Sequence, residues 1–112
     1  MSDRPAAAAV FDDLITALTE IRDGYVLDEQ RWTDPTEIAE AFRYVGQVLS
    51  ASSELFWEGD PDHPRFASIV SPARKLQGDN PDAIYHFARI RGDRTYRVRG
   101  RIREQCYASF TV

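Results

Sequence analysis

The residues best suited to chemistry form an alternating row near the end of the chain. Arg97, Arg99, Arg101 and Arg103 occupy every second position, with Tyr96, Val98, Gly100 and Ile102 interleaved. On a β-strand this spacing places the four guanidinium groups on one face. Four cations in a row repel one another unless anions lie against them. Guanidinium forks match phosphate, sulfate and carboxylate groups, so Arg97, Arg99 and Arg101 are candidate contacts for a small anionic ligand. The plainer expectation is pairing with acidic residues of the same chain, for example Asp12, Asp13, Glu37 or Glu40.

His86, between Tyr85 and Phe87, is a further candidate, because imidazole can act as a general base near neutral pH. A histidine amid strand-forming aromatics is more simply a satisfied sheet residue. Asp60, Asp62 and His63 lie close enough in sequence to meet a cation, yet Pro61 and Pro64 interleave them. Prolines at this spacing build turns, so a turn is expected there and no metal. Cys106 has no His or Lys neighbour in sequence and reads as a small buried residue. Arg91-Gly92-Asp93 reads as a hairpin turn. No Gly-rich phosphate loop or nucleophile elbow is present, so no cofactor is expected, and the residues leave open whether the protein is an enzyme.

The elements that must position these groups begin with two helices. Pro5 and the alanines after it start the first, and Val10, Phe11, Leu14, Ile15, Leu18 and Ile21 form its apolar face, ending near Gly24. Tyr25 to Trp32 is a connection without a clear period. Asp34 as cap, Pro35 in the first turn and Glu37 three residues after the cap start the second helix. Ile38, Ala41, Phe42, Val45, Val48, Leu49, Ser52, Leu55 and Phe56 trace its stripe as far as Gly59, and Gly46 suggests close approach of a neighbour. An antiparallel pair of these helices buries only part of both stripes, leaving the remainder to a sheet or a partner.

Ala67 to Val70 reads as a short strand, and residues 71–76 as an extended loop leading to a turn at Gly78-Asp79-Asn80-Pro81-Asp82. Residues 83–90, 95–100 and 105–112 then read as three antiparallel strands. The fold class is α+β: a helical hairpin over residues 1–59, a Pro-rich connection over 60–82 and an antiparallel β-meander over 83–112.

Composition bounds the setting. The chain has 112 residues, 43% hydrophobic and 29% charged, which suits one globular domain. One cysteine excludes an internal disulfide, and the N-terminus carries no visible secretory signal, so a reducing cytoplasmic location is expected. No apolar run is long enough for a bilayer, and no membrane partner is expected. The net charge of −4 hides an asymmetry: residues 1–62 carry 14 acids and 4 bases, and residues 63–112 carry 4 acids and 10 bases. The two halves therefore attract each other, or the basic half awaits an anionic partner. Tyr85, Phe87, Tyr96 and Tyr107 near arginines suit base stacking, but the acidic whole and the lack of a nucleic-acid signature argue against nucleic acid.

Four segments also carry a family pattern. They are Asp60-Pro61-Asp62-His63-Pro64-Arg65-Phe66, Ser71-Pro72-x-Arg74-Lys75, residues 78–85 and residues 92–100. Together, over roughly residues 36–112, they resemble the bacterial domain-of-unknown-function 1214 group, whose relatives also occur joined to the 1254 group. The resemblance implies a longer protein continuing into jelly-roll-like β-structure, of which this chain is the N-terminal portion. It implies no catalytic residues. The functional expectation is part of an uncharacterised protein that binds or turns over a small polar or anionic molecule when complete. The alternative is an interaction module that pairs with another chain, as a homo-oligomer, through an exposed C-terminal strand at residues 105–112.

Overall fold

The computed structural model describes residues 5–28, 31, 33–76, 78, 80–101, 103–104 and 106–112. The expectations that fall on Met1 to Arg4, Trp32, Asp79, Ile102 and Gln105 lie outside these residues. Two helices come first, α1 (Ala6–Ile21) and α2 (Pro35–Ser52), followed by two short strands, β1 (Ala67–Ser68) and β2 (His86–Phe87). The chain is thus α+β, with a hairpin-like helix pair and a small antiparallel sheet.

Asp34 caps α2 as its sequence position requires. Its carboxylate accepts the Thr36 N–H at 2.7 Å, and Pro35 fills the first turn, where a missing N–H costs nothing. Both helices end in the same way. Each widens into a π turn, Arg22–Val26 after α1 and Ser53–Trp57 after α2. The bonds that close them skip one residue more than an α-helix does: Leu27 N–H to the Arg22 carbonyl at 2.8 Å, and Glu58 N–H to the Ser53 carbonyl at 3.1 Å. Gly24 therefore sits inside a wide turn that continues to Val26 and does not end the helix.

The wide turns hold much of the small core. Among the described residues the buried apolar side chains are Val26, Ala51 and Leu55, and Val26 alone is fully enclosed. α2 packs on the turn at Arg22–Val26 more than on α1 itself, so the helices meet at one end and leave a groove between them. No residue of α1 is buried, and Phe11 remains 59% exposed. Gly46 has open space around it and brings no neighbour close. Gly59 is where a glycine is needed, because an added Cβ would meet the Leu55 carbonyl at 2.5 Å.

The sheet departs from the expected meander. β1 pairs with β2, Ala67 opposite Phe87 and Ser68 opposite His86, and Ile69 N–H extends the ladder to the Tyr85 carbonyl at 3.0 Å. The strand expected at 67–70 and the one expected at 83–90 are thus each present in a short form, paired with each other. The described residues of 95–100 and 105–112 form no strand. Charge gives a physical reason. A two-residue turn at Gly92-Asp93 would set Arg91 directly opposite Arg94, a repulsive cross-strand pair. Arg91 instead clasps Asp93 at 2.8 and 3.0 Å, and Arg94 reaches Asp62 at 3.1 Å. The turn forms, but no hairpin follows.

Size measures how open the result is. The radius of gyration is 18.5 Å, whereas a compact chain of this length has about 13 Å. The accessible surface is 9970 Å², against roughly 6,300 Å² for a compact monomer of the same mass.

Candidate functional site

The expected ligand-binding residues do not converge. Arg97, Arg99 and Arg101 are exposed, and among the described residues none of them makes a hydrogen bond or ion pair. The expected acidic partner Glu40 is engaged with Arg43 at 3.0 Å. His86 sits in β2, exposed, with its ring centroid 6.2 Å from that of Phe66. Cys106 is exposed, which corrects the expectation of a buried thiol: the described residues of the segment meant to enclose it form no strand.

The arginine that the structure does organise around is Arg74, the buried charged residue among those described. It lies at the end of a tight turn whose corner is Pro72-Ala73, where Ser71 and Arg74 exchange backbone bonds of 2.8 and 3.1 Å. All three arms of its side chain are used. Nη1 donates to Glu54 Oε2 at 2.5 Å, Nη2 to the Ser68 carbonyl at 2.5 Å and Nε to the Ile69 carbonyl at 3.1 Å. Arg74 thereby ties the π turn after α2 to the strand β1. With one bond from each of its three nitrogens and its surface covered, it is a structural residue. Sequence reasoning placed Arg74 in a motif without a role. Only its position two residues after Pro72, at the close of a turn, hinted at one.

Other motif residues extend this frame. Arg89 Nη1 donates to the Phe56 carbonyl at 3.0 Å, satisfying a group that the end of the second helix leaves open. Phe56 and Phe87 meet at 5.4 Å with tilted rings. The Tyr96 hydroxyl accepts the Arg91 N–H and donates to the Pro61 carbonyl, each at 2.9 Å.

Two of the turns share one design. Asp60 Oδ1 accepts the Asp62 N–H at 2.9 Å, and Asn80 Oδ1 accepts the Asp82 N–H at 2.9 Å, each across an intervening proline. His63 Nδ1 lies 3.0 Å from Asp60 Oδ2. That contact first, and the Asp62 N–H second, hold the Asp60 carboxyl below its ordinary range. The Asp60-Pro61-Asp62-His63 segment is a turn, as expected.

A concave feature lies elsewhere among the described residues, between α1 and α2. It is an open groove of about 920 Å³, within the size range of ligand pockets. Its walls are mainly apolar, from Ala17, Ile21 and Val26 on one side and Ala41, Val45 and Val48 on the other. Tyr25 also lines it, with the Arg31 guanidinium 4.6 Å from its ring centroid. The charged residues lining it are all glutamates: Glu20, Glu37 and Glu40. The groove offers an apolar floor and negative charge, a surface for an amphipathic basic segment and a poor one for an anion. The sequence showed both helical stripes but gave no sign that the helices would part and leave this space.

Comparison of the chain with protein-family models, curated proteins and solved structures gives no match. Among the described residues, no helix is long and apolar enough to cross a membrane.

Proposed function

We propose that this chain is a protein-association module whose apolar faces are completed by another polypeptide surface. The observation that carries this is the incompletely covered stripe of α1, in which only Leu14 and Leu18 are partly buried. Val10, Phe11, Ile15 and Ile21 all remain at least 40% exposed, on a helix whose spacing was built for burial. The excess surface, roughly 3,700 Å² over a compact monomer, points the same way. Association is through helical faces and the C-terminal segment, without the paired edge strand expected from sequence. The resemblance to the domain-of-unknown-function 1214 group belongs to this proposal as well; in that setting the middle of the chain, with Arg74 and the two Asx-Pro turns, is the scaffold.

A second reading has its own observation. The guanidinium groups of Arg97, Arg99 and Arg101 are without internal partners among the described residues, as contacts for a small anionic ligand would be. Neither these residues nor His86 lines the groove, so association is the stronger reading.

Light scattering after gel filtration tests it. The expected result is a species heavier than 12.8 kDa at micromolar concentration. A monodisperse 12.8 kDa monomer that melts cooperatively would sink the association reading, because such a chain satisfies itself.

A further inference from the structure

We infer that the occupant of the α1–α2 groove is the C-terminal segment, residues 97–112, of a second copy of this chain, exchanged reciprocally in a two-fold dimer. The inference rests on the association reading above and names its partner.

Charge complementarity selects the segment. The groove presents Glu20, Glu37 and Glu40 around an apolar floor. Residues 97–112 contain Arg97, Arg99, Arg101 and Arg103 with a single acid, Glu104. Among the described residues none of these four arginines has an ion-pair partner within its own chain. The same segment supplies apolar groups for the floor: Val98, Tyr107 and Phe110 are 54%, 80% and 73% exposed. Basic and apolar residues thus occur together on the segment, as acidic and apolar residues do in the groove.

Symmetry extends the match to the whole chain. Residues 1–62 hold 14 acids and 4 bases, and residues 63–112 hold 4 acids and 10 bases. A two-fold axis that brings residues 97–112 of each copy to the helices of the other pairs unlike charges twice. The area is available too. Each copy carries roughly 3,700 Å² more surface than a compact monomer, so two copies together have more than the roughly 2,000–5,000 Å² that obligate dimers bury in total. Reach is sufficient: the segment leaves Tyr96, which is anchored on the Pro61 carbonyl, and its residues span up to about 50 Å when extended. Within its own chain none of its described residues lines the groove.

Charge reversal tests the assignment. One variant carries Glu20→Lys, Glu37→Lys and Glu40→Lys; the other carries Arg97→Glu, Arg99→Glu and Arg101→Glu. Each alone places like charge on groove and segment, so each is expected to dissociate at least about 100-fold more readily than the parent. Mixed one to one, both grooves meet a segment of opposite sign, and a heterodimer of twice 12.8 kDa is expected to return. Circular dichroism confirms that each variant keeps its helices. If the parent associates and both variants remain homodimeric, the groove assignment is overturned while the association reading stands. If the parent is a cooperative monomer, both fail. A variant that loses its helices is replaced by a crosslink. Thr36→Cys puts a thiol on the groove wall, and mild oxidation is expected to give a covalent dimer joined between the introduced thiol and Cys106 of the other copy, absent from a Cys106→Ser control. A bond within one chain would show that the segment folds back on its own groove and would overturn the second copy. A bond between Cys106 residues alone would overturn the groove assignment.

Discussion

Around Arg74 every polar arm ends on a partner; from Arg97 onward, among the described residues, no guanidinium does. The middle of the chain, from Glu54 to Tyr96, contains the Arg74 cluster, the Arg89 contact with the Phe56 carbonyl and the Tyr96 bridge to Pro61. It closes its own hydrogen bonds without a large core. The ends behave in the opposite way. α1 leaves Val10, Phe11, Ile15 and Ile21 of its stripe exposed, and residues 97–112 carry exposed arginines beside exposed aromatics. Side chains of the same type thus serve as internal fasteners in one region and as unspent contacts in the other. A buried arginine must satisfy its donors locally, whereas an exposed one is stable in water until a partner displaces that water.

The sharpest way to break this contrast is to remove the fastener. Arg74→Ala deletes three hydrogen bonds and leaves the Ser68 and Ile69 carbonyls without their donor at a part-buried site. Glu54, half exposed, recovers its solvation. The expected loss is about 2–4 kcal/mol, read as a lower urea midpoint at fixed protein concentration. Arg99→Ala, by contrast, should leave the monomer's stability within about 0.5 kcal/mol. Equal losses for the two variants would show that the regions do not differ.

That asymmetry also explains what could be read from sequence. Helix α2 was legible because its start is local: Asp34, Pro35 and the stripe from Ile38 act on their own neighbours. The turns at Asp60 and Asn80 were legible for the same reason, each closing two residues after the Asx side chain. The meander was not, because alternation specifies a face but not a partner. Tyr85 and Phe87 alternate as a strand should, yet β2 found β1, with Phe87 against Phe56, and left the Arg-rich segment unpaired. Arg74 was hidden because its partners Glu54, Ser68 and Ile69 belong to two different elements. The α1–α2 groove was hidden because stripe periodicity says which face is apolar and nothing of how far apart two such faces stand.

A smaller perturbation probes the border between the regions. Tyr96 is the last residue of the fastened middle, and its hydroxyl holds the Arg91 N–H and the Pro61 carbonyl together. Tyr96→Phe keeps the ring and removes both bonds, at a cost of about 1–2 kcal/mol. Amide exchange at Arg91 should accelerate with little change in α2. Unchanged exchange would move the border toward β2 and make residues 91–96 part of the loose end.

The smallest effect separates the two Asx-Pro turns from each other. Both close on a side-chain oxygen, but Asp60 is titratable and Asn80 is not. The hydrogen bond from His63, then that from the Asp62 N–H, favours the charged Asp60 carboxylate and depresses its pKa. A depressed carboxylate stabilises the folded turn above the unfolded-state pKa, and that contribution is lost as pH falls through the folded value. The turn at Asp60 should therefore loosen only at acidic pH below the ordinary aspartate range, while the turn at Asn80 stays closed. Carbon NMR of the Asp60 carboxyl is expected to show a midpoint below that of an unstructured aspartate, and His63→Ala should move it back toward that value. A midpoint that His63→Ala leaves in place would mean that the imidazole contact is not what holds the charge. Asp60→Asn should then keep the turn, as Asn80 does, and remove its response to acid.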